Sequence, residues 1–131
     1  MKILIADKLS SMLIDSLEKI GADIISNPNM TAEELSKAIG DVNVLIVRST
    51  KVFAETIENG KDLELIIRAG AGVNNIDLEK ASTNGVYVAN CPGKNSDAVA
   101  ELALGHIVAC DRRIVDSSLD LRNGYWKKKK T

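Results

Sequence analysis

Five times along this chain a short, nearly unbroken aliphatic run is followed by a turn and then by a helical pattern. This alternation restricts the fold more than any other feature. The runs are Lys2–Ala6, Asp23–Ser26, Val42–Val47, Leu63–Ile67 and Val86–Ala89. They are near-continuously apolar rather than alternating, which is what strands covered on both faces require. Between them, Leu9, Leu13, Leu17 and Ile20 form one stripe at the helical period, and Gly21 follows as a stop. Thr31-Ala-Glu-Glu34 reads as a capping box ahead of Leu35, Ala38 and Ile39, with Gly40 after them. A short helix is predicted over Ala54 to Asn59 and another over Asp77 to Thr83, closed by Asn84-Gly85. The longest is predicted over Ser96 to Val115. Such βα units imply an α/β fold: an open parallel five-stranded sheet, order 2-1-3-4-5, with right-handed crossovers and helices on both faces.

Composition narrows the class. The 131 residues suit one domain that buries about two-thirds of its unfolded surface. One Phe, two Tyr and one Trp leave a core of Ile, Val, Leu and Ala. A net charge of −1 gives no global field for nucleic acid or an anionic membrane. Met1-Lys2 leads straight into a strand, so no signal peptide is expected, and no apolar stretch nears the ~18 residues of a membrane span. Cys91 and Cys110 stand far apart without a His cluster; they are expected to be free buried thiols of a reducing cytoplasm, with no metal. The run Lys127 to Lys130 is expected to be a frayed, solvated end.

In open α/β sheets ligands bind beyond the carboxyl ends of the strands. Those ends read Asp7, then Arg48-Ser49-Thr50-Lys51, then Arg68 to Asn75, then Asn90 to Ser96. Arg48, Lys51, Arg68 and Lys94 make a rim suited to a small anion, and only Asp7 is acidic. Gly70-Ala-Gly72-Val-Asn-Asn75 lies between strand and helix, as a nucleotide loop would. However, Asn75 replaces the third glycine, and the acidic residue expected roughly 20 positions on is absent from Val88-Ala-Asn-Cys-Pro92. A nest of N–H groups holding a small anion ahead of the helix N-terminus fits better, Gly70 and Gly72 permitting close approach and positive φ. Asn95 or Ser96 is placed to cap the last helix. His106 is the only histidine; it lies mid-helix without an orienting carboxylate, so no catalytic role is expected.

Val47-Arg-Ser-Thr-Lys51, Ile67-Arg-Ala-Gly-Ala-Gly-Val-Asn-Asn-Ile-Asp77, Asn90-Cys-Pro-Gly-Lys-Asn-Ser96, Ala100-Glu-Leu102 and Arg122-Asn-Gly-Tyr-Trp126 resemble the D-2-hydroxyacid dehydrogenase family, nearest its D-3-phosphoglycerate dehydrogenase branch. The resemblance runs in matching order over essentially the whole chain. It implies a flavodoxin-like substrate-binding domain over 1–95, followed by a hinge and linker helix over 96–131. By position, Arg48 and Ser49 would face the substrate, a small anionic 2-hydroxy or 2-keto acid. The backbone of Ala71, Gly72 and Val73 would hold its carboxylate with Gly70 also at the substrate, Asn95 would touch it from the hinge, and Arg68 would add charge near a phosphate or at a subunit contact. Asn74, where the family usually has Asp, and Ala71, where this branch often has Thr, bear on the fine substrate preference.

The resemblance further implies an NAD-dependent parent enzyme of serine biosynthesis, acting on 3-phosphoglycerate. Its G-x-G-x-x-G domain, catalytic Arg and Glu–His pair fall later in the family and are not among these residues. The expectation is therefore a front part with no catalytic residue and no bound cofactor, inactive alone. Ala98, Val99, Leu102, Ile107 and Val108 would be left exposed, and the helix over 96–115 would either fold back on its sheet or exchange in a homodimer. Two other classes compete. A phospho-receiver domain needs an Asp where Arg48 ends the third strand. A stand-alone, non-catalytic ligand-binding or regulatory module would bind the same acids without chemistry.

Overall fold

A computed structural model describes residues 1–127. The chain divides into two units, Met1–Pro92 and a second that starts at Gly93. The first contains β1 (Lys2–Ile5), α1 (Ser11–Lys19), β2 (Asp23–Ser26), α2 (Ala32–Ala38), β3 (Val44–Val47), α3 (Ala54–Asn59), β4 (Leu65–Arg68), α4 (Leu78–Thr83) and β5 (Tyr87–Ala89). The second holds α5 (Ser96–Asp111) and α6 (Ile114–Arg122). The strands form one parallel sheet in the order β2-β1-β3-β4-β5, as the βα alternation requires. All are shorter than their apolar runs except β2, and β4 is shifted to end on Arg68.

The continuous apolar runs divide at every second residue. Leu4, Ala6, Leu45, Val47 and Ile66 enter one core with Leu35 and Ile39 of α2, Ile57 of α3 and Ala81 of α4. Ile3, Ile5, Val44 and Ile46 enter the other, against Leu9 and the α1 residues Ile14 and Leu17. Side chains at successive strand positions point to opposite faces, so a strand with a core on each side has no polar position. Each fully buried Leu or Ile contributes roughly 1.5–3 kcal/mol. Central β1 and β3 therefore anchor the sheet, and the loops after them inherit a rigid base.

The local signals behave as their chemistry dictates. The Thr31–Glu34 capping box is formed in both directions. Asp77 caps α4 by accepting from the Lys80 amide. Gly21 and Gly85 take positive φ after α1 and α4, where a side chain would be strained.

Four expectations change. Ile20 is 67% exposed and does not extend the α1 stripe; Ile14, Leu13 and Leu17 form the half-buried face. The helix expected over Ser96 to Val115 is broken: α5 ends at Asp111, and Arg113 adopts φ +50 before α6. No glycine or proline marks that break; Arg113 bonds Asp116 instead. Both cysteines are free, but Cys110 is exposed and Cys91 half-buried. Lys127 donates to Asp120 at 2.8 Å and sits over the Tyr125 ring, so it is not a free end. Lys128 to Thr131 lie outside the described residues. On α5, Ala98, Val99, Leu102, Ile107 and Val108 are all exposed. Among the described residues no helix is long and apolar enough to cross a membrane, and no group of three or more His, Cys, Asp or Glu is placed to hold a metal ion.

Candidate functional site

The loops after β1, β3 and β4 meet because those strands are neighbours. Asp7 follows β1. Its Oδ2 accepts from the successive amides of Arg48, Ser49 and Thr50 at 2.6, 3.1 and 3.1 Å. Partial burial pushes the Asp7 carboxyl up, but donation by the Arg48, Thr50 and Ser49 amides and the Thr50 hydroxyl outweighs it. The group is held below its ordinary value. The turn after β3 is thus an N–H nest already filled by the protein's own carboxylate.

Arg68, the last residue of β4, pairs with Val47 in the sheet register. Its Nε donates to the Arg48 carbonyl at 3.0 Å. The guanidinium lies over Gly70, where a Cβ would overlap it. Gly70 is needed for this space and not for its backbone: neither Gly70 nor Gly72 has positive φ, contrary to the expected reason for those glycines.

The loop from Gly70 to Asn75 is stitched on both sides. Asn75 donates its side-chain amide to the Thr50 carbonyl at 2.8 Å, and its own carbonyl accepts from the Val52 amide at 2.8 Å. Asn90 donates its side-chain amide to the Ala71 carbonyl at 2.6 Å, and the Cys91 amide donates to the Gly70 carbonyl at 2.9 Å. Among the described residues the amides of Ala71, Gly72 and Val73 have no acceptor. The side chains of Arg48, Ser49 and Lys51 are exposed and likewise have no partner among those residues. Unsatisfied amides on the loop after β4 and free guanidinium and hydroxyl groups on the loop after the adjacent β3 suit a small carboxylate or phosphate.

The loop does not fit a dinucleotide. The α4 N-terminus is closed by the Asp77 carboxylate, and the Asn75 side chain is tied to Thr50 where a third glycine would be needed. It also does not act as a nest directly ahead of a helix, since Ile76 and Asp77 intervene.

A family model described as the D-isomer specific 2-hydroxyacid dehydrogenase catalytic domain matches residues 3–126. The chain belongs to this family. It is 43% identical over 124 residues to a hydroxypyruvate reductase of Thermotoga maritima, covering 94% of this chain and 40% of that protein. It is 42% identical over 130 residues to a D-3-phosphoglycerate dehydrogenase of Methanocaldococcus jannaschii, covering 98% and 25% respectively. A crystal structure of NAD+-bound 3-phosphoglycerate dehydrogenase from Entamoeba histolytica superimposes with a TM-score of 0.72 at 33% identity, covering 83% of this chain and 38% of that one. The chain therefore spans well under half the length of these dehydrogenases.

Within this member of the family, Arg48, Ser49, Arg68, Gly70, Ala71, Gly72 and Val73 all lie at the shared β3–β4 end of the sheet. Asn95 belongs to the second unit; it occupies the N-cap position of α5 without a side-chain capping bond, and Ser96 is the first helical residue. His106 is exposed on α5. Three contributors escaped the sequence reading as site-builders: Asp7, Asn75 and Asn90. Asp7 was legible from strand order, because β1 and β3 are adjacent and their carboxyl ends must meet. The two asparagines carry no comparable signal.

Proposed function

We propose that these residues form the substrate-binding part of an NAD-dependent D-2-hydroxyacid dehydrogenase acting on 3-phosphoglycerate, which it oxidises to 3-phosphohydroxypyruvate in serine biosynthesis in the cytoplasm. One observation carries the reading: the acceptor-free amides of Ala71, Gly72 and Val73 and the partner-free side chains of Arg48 and Ser49 belong to the loops that leave the same end of the adjacent strands β3 and β4. In this reading the amides take the carboxylate, Arg48 and Ser49 face the same acid, and Lys51 and Arg68 add positive charge for a phosphate. Phosphoglycerate dehydrogenase relatives that match 98% of the chain support that substrate. Residues 1–95 serve as the substrate domain and 96–131 as the hinge and linker, with Asn95 reaching the acid from the hinge.

NAD would be held by residues other than these, since the Gly70–Asn75 loop does not fit it. These residues also provide no catalytic group: hydride transfer needs a cofactor set against the substrate carbon and a matched proton donor. The exposed apolar side chains of α5 support a homodimer in which that helix is covered by a second copy. Light scattering across a size-exclusion peak tests it, and a strict monomer at high concentration removes it.

The functional reading is tested by titrating 3-phosphoglycerate, D-glycerate and inorganic phosphate into the 131-residue chain and following backbone amide signals. Signals of Ala71, Gly72 and Val73 should move first, 3-phosphoglycerate should bind most tightly, and Arg48→Ala should weaken it about tenfold, the size of one charged hydrogen bond. No shift at 71–73, or an unaltered affinity in Arg48→Ala, removes the reading. The same chain should show no oxidation of NADH with a 2-keto acid.

A further inference from the structure

Resting on that reading of the rim, we propose that Asp7 is a positioning residue for the Arg48 guanidinium, acting through the backbone of residues 48–50. A carboxylate beside Arg48 and Lys51 would ordinarily pair with one of them. Asp7 makes no ion pair among the described residues. Its Oδ2 instead takes the three amides after β3, and the cations keep their charge free for another acid.

The base of this device is rigid. Ala6, immediately before Asp7, is fully buried, and its amide donates to the Ile46 carbonyl at 3.1 Å. Asp7 itself forms a bridge with Asn29. The Arg48 peptide is then held from both sides, its N–H by Asp7 and its C=O by Arg68 Nε. With the backbone pinned, the direction in which the Arg48 side chain leaves the rim is set before any ligand arrives. The backbone part of that ordering is already in place in the free protein and does not oppose binding again.

The nest also divides the labour of the rim. Because Asp7 fills the 48–50 amides, those three amides are closed to an incoming anion, while the side chains of Arg48 and Ser49 stay available. The loop after β4 offers bare amides. A single small acid is thereby gripped by two different kinds of donor from adjacent strands.

Positioning and simple charge make opposite predictions, which gives the test its sign. By Coulomb's law alone, removing a negative charge near an anion site tightens anion binding. Asp7→Asn keeps the shape and one acceptor oxygen but loses the charge that strengthens the three amide bonds. The 131-residue chain and its variants are titrated with 3-phosphoglycerate by amide NMR. Asp7→Asn should bind about threefold more weakly, and the Arg48, Ser49 and Thr50 signals should shift in the free protein while those of β1 and β3 stay in place. Combined with Arg48→Ala, Asp7→Asn should cause no further loss, because the guanidinium it orients is gone. Asp7→Asn binding as tightly as the parent or more tightly overturns the proposal. So does an equal loss in the Arg48→Ala background, which marks a general structural defect. If Arg48→Ala itself binds like the parent, the functional reading fails and not only this proposal.

Discussion

The Arg68 side chain donates from Nε to the backbone carbonyl of Arg48 at 3.0 Å, joining the ends of two adjacent strands. Two arginines that a charge count would place in repulsion are thus coupled as donor and acceptor. The charge of Arg68 stays near the rim while its Nε fixes the peptide of its neighbour. Arg68→Lys should separate these roles. Lysine keeps the charge but has no Nε–H in the guanidinium plane. Unfolding in urea should show a loss of about 1 kcal/mol, the net value of one hydrogen bond. The amide signal of Ser49, which follows that carbonyl, should shift. An unchanged Ser49 signal would mean that the bond is not made in solution.

Gly70 tests the same contact from the other side. Its φ is not positive, so alanine introduces no backbone strain there. The obstacle is the Arg68 guanidinium, which occupies the space of a Cβ. Because a flexible side chain can swing away, Gly70→Ala should change stability by less than about 1 kcal/mol, the ordinary range for Gly→Ala at a compatible backbone. It should also displace Arg68 and reproduce the Ser49 shift of Arg68→Lys. A crystal structure of the variant with Arg68 still bonded to the Arg48 carbonyl would refute this account of the glycine.

Much of this architecture is legible in the residues themselves. Leu4 and Leu45 against Ile3 and Ile46 show why uninterrupted apolar runs mean two cores, and Thr31–Glu34 shows a helix start by chemistry alone. The rim arginines follow from strand ends. What was not legible lies in local contacts and helix ends that no residue type announces. Arg113 adopts a left-handed conformation that L-residues rarely take, and it is held by Asp116 rather than announced by a glycine. Ile20 continues the helical period but is the C-cap of α1, one position past its last helical residue, and its side chain stays exposed. Gly70 was read as a source of backbone freedom, whereas the position of a side chain two residues earlier explains it.

Acid should loosen the turn after β3. The Asp7 carboxyl is held below its ordinary value, with burial opposing and the amides of Arg48, Thr50 and Ser49 prevailing. A lowered folded-state pKa contributes stability above the unfolded value, and this is lost as pH falls through the folded value. The window therefore lies on the acid side of the ordinary carboxylate range. Asp41, held low by its hydrogen bond to Lys2, titrates in the same direction, so global unfolding cannot isolate Asp7. Amide signals can: those of Arg48, Ser49 and Thr50 should move together with one midpoint below the ordinary Asp value, and Asp7→Asn should abolish the movement. Independent midpoints for the three would show that they do not share one carboxylate.

The two units should answer large-to-small substitution very differently. Leu45, on central β3, is fully buried, and Leu102, on α5, is 62% exposed. Truncating a buried leucine removes its transfer free energy and leaves a cavity, so Leu45→Ala should cost about 2–5 kcal/mol. At concentrations low enough to keep the chain monomeric, Leu102→Ala removes little that is shielded from water and should stay within about 0.5 kcal/mol, the ordinary surface range. Alanine also forms helix at least as well as leucine, so α5 loses nothing by propensity. Chemical denaturation of the two variants at equal concentration makes the comparison. A cost for Leu102→Ala that approaches that of Leu45→Ala, and grows with protein concentration, would show that α5 buries its apolar side chains against a second copy. A large cost independent of concentration would place that burial within one chain and remove the exposed α5 on which the dimer reading depends.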